Sequence, residues 1–198
     1  MFELNSIIYD KGLYLNNCIS KEDIEKVLLL SKSEKFEIKH FRCGDYVEVT
    51  KDLNYPEKNI FEILNPITKN ILKIYTNHFN KNLNDYRLDG EEVYWIKTWN
   101  IGSSIGFHSD SWDSKDGKKV PNITILLYFT SDYEGGEVIF KNESGVGVDF
   151  LNQTFEVNKN DIKIKPLSGE AIVFDSNTIH LVTEVTSGSR ICTDIAYV

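Results

Sequence analysis

Residues 171–197 read AIVFDSNTIHLVTEVTSGSRICTDIAY. The apolar runs Ala171–Phe174 and His180–Val185 flank Asp175-Ser176-Asn177, and Arg190–Tyr197 follows the polar turn Thr186-Ser187-Gly188-Ser189. Short apolar runs divided by Asp, Ser, Asn and Gly are the pattern of closely spaced β-strands. The same rhythm extends upstream through Val93–Trp99, Ile123–Phe129, Glu137–Phe140 and Asp161–Ile164. Many short strands with turn signals predict a sandwich or jelly roll over residues 91–198.

Residues 1–90 read differently. Ser20 followed by Asp23 resembles a capping box, and Ile24, Val27, Leu28 and Leu29 make a helical stripe after it. A second apolar pattern with helical spacing covers about 56–80, from Ile60 and Phe61 to Tyr75 and Phe79. Pro66 lies inside it, so a kink or two helices are expected. Asn82–Gly90 then reads as a loop. No linker-like composition marks the junction, so the helices are expected to pack on one sheet of the same domain. The predicted class is α+β: a single domain over 1–198, with a mixed helical support region (1–90) and a β core (91–198).

The composition bounds the function. A protein of 198 residues can bury a sizeable core, and 12% aromatic content argues against disorder. A net charge of −8 opposes broad electrostatic binding to nucleic acid or to anionic membrane. No run approaches the roughly 20 apolar residues of a membrane span, and the first residues lack a secretory pattern. Cys18, Cys43 and Cys192 are odd in number and far apart, with no CxxC pair, so a reducing cytoplasm is the expected compartment.

Only four histidines occur, and two stand in informative settings. His108-Ser109-Asp110 places an imidazole and a carboxylate two residues apart, on one side of an extended backbone. His180, beyond the strand Ala171–Phe174 and its turn, is the natural third ligand. Two histidines and one carboxylate on one face of a metal leave positions open for a chelating co-substrate and then dioxygen, which suits non-haem Fe(II). Arg190 lies ten residues beyond His180, and a hairpin-like return would bring its guanidinium beside the metal to bind a carboxylate bidentately. Taken singly, each residue is as well explained as a solvated turn, a core histidine or a surface arginine. Order and spacing together carry the reading.

At these residues the sequence resembles the prolyl 4-hydroxylase branch of the Fe(II)/2-oxoglutarate dioxygenases. The resemblance covers about half of the sequence, from Trp99-Asn-Ile-Gly102 through His108-Ser-Asp110, Ile123–Thr130, Tyr133-Glu-Gly-Gly-Glu137-Val-Ile-Phe140 and Lys165–Phe174 to His180 and Arg190. It implies a double-stranded β-helix, a jelly roll whose two sheets hold the site between them. It implies Fe(II) on His108, Asp110 and His180, with 2-oxoglutarate and O₂ as co-substrates and ascorbate as an accessory reductant. It also implies that Arg190 pairs with the distal carboxylate of 2-oxoglutarate and that Tyr128 bonds to that carboxylate, unless Tyr128 is ordinary core. Trp99 stands where relatives often carry Tyr, and Ile105 where they often carry an aromatic residue. Indole offers an N–H but no hydroxyl, so the co-substrate pocket has its own shape or Trp99 is core.

Strand parity extends the site. If Arg190 points inward, so do Cys192, Asp194 and Ala196, and Trp95 and Lys97 share the face of Trp99. Asp194 is then a pocket carboxylate that orients substrate or water, unless a bulge turns it outward. Lys97 would meet a substrate carboxylate or pair with an acid at the sheet rim. Ser111–Lys119, with Trp112, is a lid, a substrate wall or a solvated connection. Gly135-Gly136 serves a tight turn, and Asn142–Asn160 is a long excursion between strands. The predicted reaction is hydroxylation of an aliphatic C–H, on a peptidyl proline or a related substrate. A free amino acid or small metabolite is the alternative, and a jelly-roll binding module with a vestigial metal site is the alternative of another class. The acidic charge and the missing second distal arginine set aside a nucleic-acid demethylase.

Overall fold

The computed structural model describes residues 2–33, 38–41, 44–49, 57–87, 94–113, 119–120, 122–144 and 157–198; for 40, 41, 46–49, 57, 112, 113, 119, 120, 143 and 144 only the backbone is described. The first half contains strands β1 (Glu3–Ile8) and β2 (Gly12–Asn16), helix α1 (Lys21–Ser31), strands β3 (Lys39–Phe41) and β4 (Gly44–Val49), helix α2 (Glu57–His78) and a 3-10 turn at Leu83–Asp85. Strands β5 (Tyr94–Trp99), β6 (Ile105–His108), β7 (Trp112–Asp113), β8 (Lys119–Val120), β9 (Ile123–Tyr128) and β10 (Tyr133–Gly135) follow. Next come β11 (Val138–Ser144), β12 (Ile162–Ile164), β13 (Ala171–Asp175), β14 (Thr178–Val182), β15 (Val185–Gly188) and β16 (Arg190–Tyr197).

Two sheets form the jelly roll. The major sheet has eight strands in the order β1-β2-β13-β9-β16-β5-β4-β3, and the minor sheet four, β12-β11-β14-β6. The pairs β10–β15 and β7–β8 stand apart from them. The central strands of the major sheet are buried on both faces, and alternation divides their side chains between two cores. Ile123, Ile125, Leu127, Ala171, Val173 and Ile195 face the helices. Leu126, Tyr128, Ile172, Phe174 and Cys192 face the minor sheet, which contributes Val138, Phe140 and Val182.

The helices cover the outer face of the major sheet. Ser20 caps α1, its hydroxyl accepting from Asp23 N–H at 3.1 Å and donating to the Asp23 carboxylate at 2.7 Å. Ile24 and Val27 are buried beneath it, whereas Leu29 is 74% exposed, one helical step off the stripe. Pro66 neither ends α2 nor divides it: Glu57–His78 is one helical segment. Ile60, Phe61, Leu64, Ile71, Leu72 and Tyr75 lie buried on either side of the proline. Burying each of these residues stabilises by roughly 1.5–3 kcal/mol, which together exceeds the roughly 3 kcal/mol that an interior proline costs.

The apolar strand signals coincide with β5, β9, β11, β12, β13 and β16, shifted by a residue or a few at their ends. The predicted strand His180–Val185 divides into β14 and β15 instead. Thr183 N–H still bonds to Glu137 O at 2.9 Å in the β11 register, but Val185 N–H bonds to Ser103 O at 3.0 Å, so the backbone leaves the ladder after Thr183. The N-terminal region is more than helical support, since β1–β4 supply half of the major sheet. Ser111–Lys119 pairs at its ends as β7 and β8, while residues 114–118 and 145–156 lie outside the described residues. No helix among the described residues is long and apolar enough to cross a membrane.

Candidate metal and co-substrate site

His108 and His180 are direct cross-strand partners of β6 and β14 in the minor sheet, and their ring centroids are 4.2 Å apart. Each imidazole is oriented through Nδ1, which lies 2.8 Å from Gly106 O in His108 and 3.0 Å from Thr178 O in His180. A carbonyl only accepts, so Nδ1 carries the proton and each neutral ring presents a lone pair at Nε2. Asp110 follows β6 in a bend pinned to the β13–β14 turn, since Asp110 N–H and Ser111 N–H both bond to Ser176 O, at 3.0 and 3.1 Å. Its carboxylate oxygens stand 3.5 Å from His108 Nε2 and 3.7 Å from His180 Nε2. The three ligand atoms lie within 4.8 Å of one another.

This is a convergence of acceptors. Two lone pairs and a carboxylate, close together with both histidines buried, call for a cation among them. The titration behaviour agrees. Burial alone would raise the Asp110 carboxyl, but the imidazoles of His180 and His108 outweigh it and hold it below the ordinary carboxylate range. Burial and the neighbouring His108 push His180 down to about 4. His108 goes the other way, because the Asp110 carboxylate outweighs its burial. The donor set of two imidazoles and one carboxylate fits Fe(II) and leaves coordination positions free for further ligands.

Arg190 reaches the same cavity from the other sheet. The expected hairpin between His180 and Arg190 is not formed: β14 belongs to the minor sheet, β16 to the major sheet, and β15 pairs with β10 on the way. The guanidinium therefore faces the triad across the cavity between the sheets. It is 1% exposed, lies 4.9 Å from the Trp99 ring and 5.0 Å from the Tyr128 ring, and donates from Nη2 to Tyr128 Oη at 3.1 Å. Tyr133 flanks it and acts on it electrostatically. Nε and Nη1 are buried without a hydrogen-bond partner, and no carboxylate among the described residues forms an ion pair with the guanidinium. A permanently charged fork buried with two idle donors is built for an anionic ligand.

The cavity holds about 300 Å³ and is lined by His108, Asp110, His180, Arg190 and Trp99, with Lys97, Trp95 and Asp194 on the same wall. β16 runs without a bulge against β5 and β9, so Asp194 points inward as parity predicts. Lys97 Nζ is bonded to Asp194 Oδ2 inside the cavity, so its acid partner belongs to the pocket wall. Burial opposes the charge on Lys97, and Asp194 outweighs burial, leaving the ammonium above its ordinary value. Trp99 is 6% exposed, and its indole N–H lies near the Cys192 thiol without a hydrogen-bond partner among the described residues. Tyr128 is wholly buried and its hydroxyl accepts from Arg190, so it is a core residue that supports the guanidinium. The side chain of Trp112 lies outside the described residues.

Four contributors escaped the sequence reading. Gly136, at φ +64°, lies against Arg190, and Tyr133 flanks the guanidinium. Gly44 and Asp45, at the start of β4, line the cavity from a region with no strand signal.

Comparison with known proteins gives the same picture. Over 91 residues the chain is 30% identical to a PKHD-type hydroxylase of Synechococcus sp. (strain CC9902); the match covers 46% of this chain and 34% of that protein. The chain thus spans about a third of the length of that relative. The fold is similar to an oxidoreductase of the 2OG-Fe(II) oxygenase family from Burkholderia pseudomallei (TM-score 0.66, 14% identity, 96% of this chain and 87% of that one). It is also similar to the viral collagen prolyl hydroxylase of Paramecium Bursaria Chlorella virus-1 (TM-score 0.64, 17% identity, 94% of each chain). The sequence model of the 2OG-Fe(II) oxygenase superfamily matches residues 94–195, more than half of the chain and the whole span from Trp99 to Arg190, and to that superfamily the chain belongs.

Proposed function

We propose that the protein is an Fe(II)- and 2-oxoglutarate-dependent dioxygenase that hydroxylates an aliphatic C–H in the manner of a prolyl 4-hydroxylase, on a prolyl or related carbon. One observation carries the reading. A His-Asp-His triad with both histidines buried faces, across one cavity, a buried guanidinium with two idle donors. His108, Asp110 and His180 would hold the iron, which when bound supplies the activation of dioxygen. In the overall reaction 2-oxoglutarate gives up CO₂ and takes one oxygen atom of O₂ to become succinate. The other oxygen atom enters the substrate C–H bond as hydroxyl.

The protein's own residues supply position and shelter. The backbone carbonyls of Gly106 and Thr178 hold both imidazoles with Nε2 toward Asp110. Arg190 would take the distal carboxylate of 2-oxoglutarate on its fork, with Tyr128 fixing the guanidinium plane and Trp99 closing one face. The burial of Arg190 and of the Tyr128 ring excludes water from that end, which strengthens the charge pairing. The structurally similar viral collagen prolyl hydroxylase was itself solved as a 2OG complex. Ascorbate would serve only to restore iron after uncoupled turnover.

The test is direct. Fe(II) and 2-oxoglutarate added without oxygen should give the weak visible charge-transfer band of the chelate, and admitting oxygen with substrate should release succinate. His108→Ala or Asp110→Ala should abolish substrate-coupled succinate formation. Absence of both band and turnover would favour a jelly-roll binding module. Within the enzymatic reading a free amino acid or small metabolite has a specific observation in its favour, the Lys97–Asp194 pair.

A further inference from the structure

The cavity-facing residues of β5 and β16 form three cross-strand rows: Arg190 with Trp99, Cys192 with Lys97, and Asp194 with Trp95. Arg190 and Asp194 are four residues apart on one face, roughly 13 Å along the strand. Exposure is graded between them. Arg190 is 1% exposed, whereas the side chains of Asp194 and Lys97 keep 18% and 33%. The solvent-facing end of this wall is therefore the Lys97–Asp194 end, and the triad lines the same cavity closely enough for Asp110 to act on the Lys97 ammonium.

Neither iron nor 2-oxoglutarate, held as proposed above, uses this ion pair. Its wall position is costly for charges: withdrawing two ions from water is only partly offset by their attraction, and an apolar pair of similar volume would serve a merely structural wall as well. Each member also keeps unused capacity, since an ammonium has three donors and a carboxylate about four acceptor sites. Asp45, the remaining acid on the lining besides Asp110, is engaged in an interaction of its own.

Charge balance selects the ligand. A ligand with one charge would bond one member of the pair and weaken the hold on the other. An internal peptide residue offers an amide C=O and N–H that can hydrogen-bond to the pair but set no charge against either member. A ligand with an ammonium and a carboxylate on adjacent atoms sets an opposite charge against each member and leaves the assembly neutral. The cavity volume of about 300 Å³ lies at the lower end for ligand pockets, so the space beside 2-oxoglutarate suits a molecule of amino-acid size.

We propose that Lys97 and Asp194 are the substrate-recognition pair and that the substrate is a free α-amino acid, its carboxylate on Lys97 and its ammonium on Asp194. The inference rests on the hydroxylase reading above: the bound amino acid would turn an aliphatic C–H toward the triad, and 2-oxoglutarate and O₂ would supply the electrons and the oxygen atom.

The experiment begins with binding. The protein loaded with Mn(II) and 2-oxoglutarate, without oxygen, is titrated calorimetrically with L-proline and the other proteinogenic amino acids. N-acetyl and carboxamide forms of any that bind are then titrated in turn. At least one free amino acid should bind, and blocking either end should weaken it by about tenfold or more, as for loss of a charge-assisted hydrogen bond. Lys97→Met should lose the discrimination against the carboxamide, and Asp194→Asn that against the N-acetyl form. With Fe(II) and oxygen the same amino acid should accelerate succinate release. The proposal is overturned if no amino acid binds at millimolar concentration, if blocked forms bind as well as free ones, or if the variants keep full discrimination. Failure of the hydroxylase reading looks different and overturns both: 2-oxoglutarate itself then neither binds to the metal-loaded protein nor is turned over.

Discussion

Gly136 lies against the side chain of Arg190: a Cβ built at Gly136 would stand 2.9 Å from Arg190 Cδ, and 3.2 Å from both Tyr133 Cε2 and Val185 Cγ2. The glycine also holds φ +64°, where any other residue costs about 1 kcal/mol or more. Gly136→Ala should therefore displace the guanidinium as well as strain the turn. The expected result is a folded protein whose affinity for 2-oxoglutarate falls by about tenfold, because bidentate pairing tolerates little displacement. Unchanged 2-oxoglutarate affinity, measured calorimetrically in the presence of Mn(II), would show that the contact does not position Arg190.

The acceptor cluster of His108, Asp110 and His180 predicts strong coupling between metal binding and stability. A divalent metal at about a hundredfold over its Kd adds about 2.7 kcal/mol to the native state. For a protein of this length that corresponds to a rise in Tm of roughly 5–10 °C. Chelator should reverse the rise, and Asp110→Asn, which removes the charge facing both Nε2 atoms, should abolish it. A metal-induced rise that persists in Asp110→Asn would place the metal elsewhere.

Buried phenols set the alkaline limit. Burial lifts Tyr14, Tyr75, Tyr128 and Tyr133 above the ordinary value of 10, Tyr133 to about 12. Below pH 10 these phenols are neutral in both states, and their contribution to stability is complete. As pH rises beyond 10 the unfolded protein loses protons that the native protein keeps, so stability falls. Thermal unfolding should therefore shift to lower temperature from about pH 10 upward, with the phenolate absorbance of these residues appearing only as the protein unfolds. Full phenolate absorbance in a protein with native near-ultraviolet circular dichroism would contradict it.

What was legible in the sequence follows the range of the forces involved. The strands β9 and β13 announce themselves because burial on both faces demands nearly continuous apolar runs. The triad shows in part: His108 and Asp110 are two residues apart at the end of β6, a local spacing, whereas His180 lies in the middle of β14 and is tied to them only by order along the sequence. β1 does not show: it is an edge strand with mostly exposed residues, so no alternation is imposed on it. β2 is buried along most of its length and too short for a period. The path from His180 to Arg190 reads as a hairpin, because a crossing between sheets and a return within one use the same turn residues. Only pairing with distant β11 and β9 decides between them. Gly136 reads as turn chemistry for the same reason, since its packing partner is 54 residues away.

Arg190 allows stability and binding to be separated. Its charge is buried between Trp99 and Tyr128 with Nε and Nη1 idle, so in the absence of 2-oxoglutarate it burdens the fold. Replacing a buried, incompletely paired charge by an apolar residue of similar length is commonly neutral or stabilising by about 1–4 kcal/mol. Arg190→Met should accordingly match or exceed the parent protein's Tm without ligand, while 2-oxoglutarate affinity falls by about a hundredfold through loss of a bidentate charged pair. Arg190→Lys keeps the charge but not the planar fork or its stacking on the rings, so its affinity should fall between the two. Thermal unfolding with and without 2-oxoglutarate, at fixed Mn(II), reads both quantities at once. The parent should gain stability from the co-substrate and Arg190→Met should not. An Arg190→Met protein that is strongly destabilised yet still gains from 2-oxoglutarate would make the arginine a structural residue and move the carboxylate site elsewhere in the cavity.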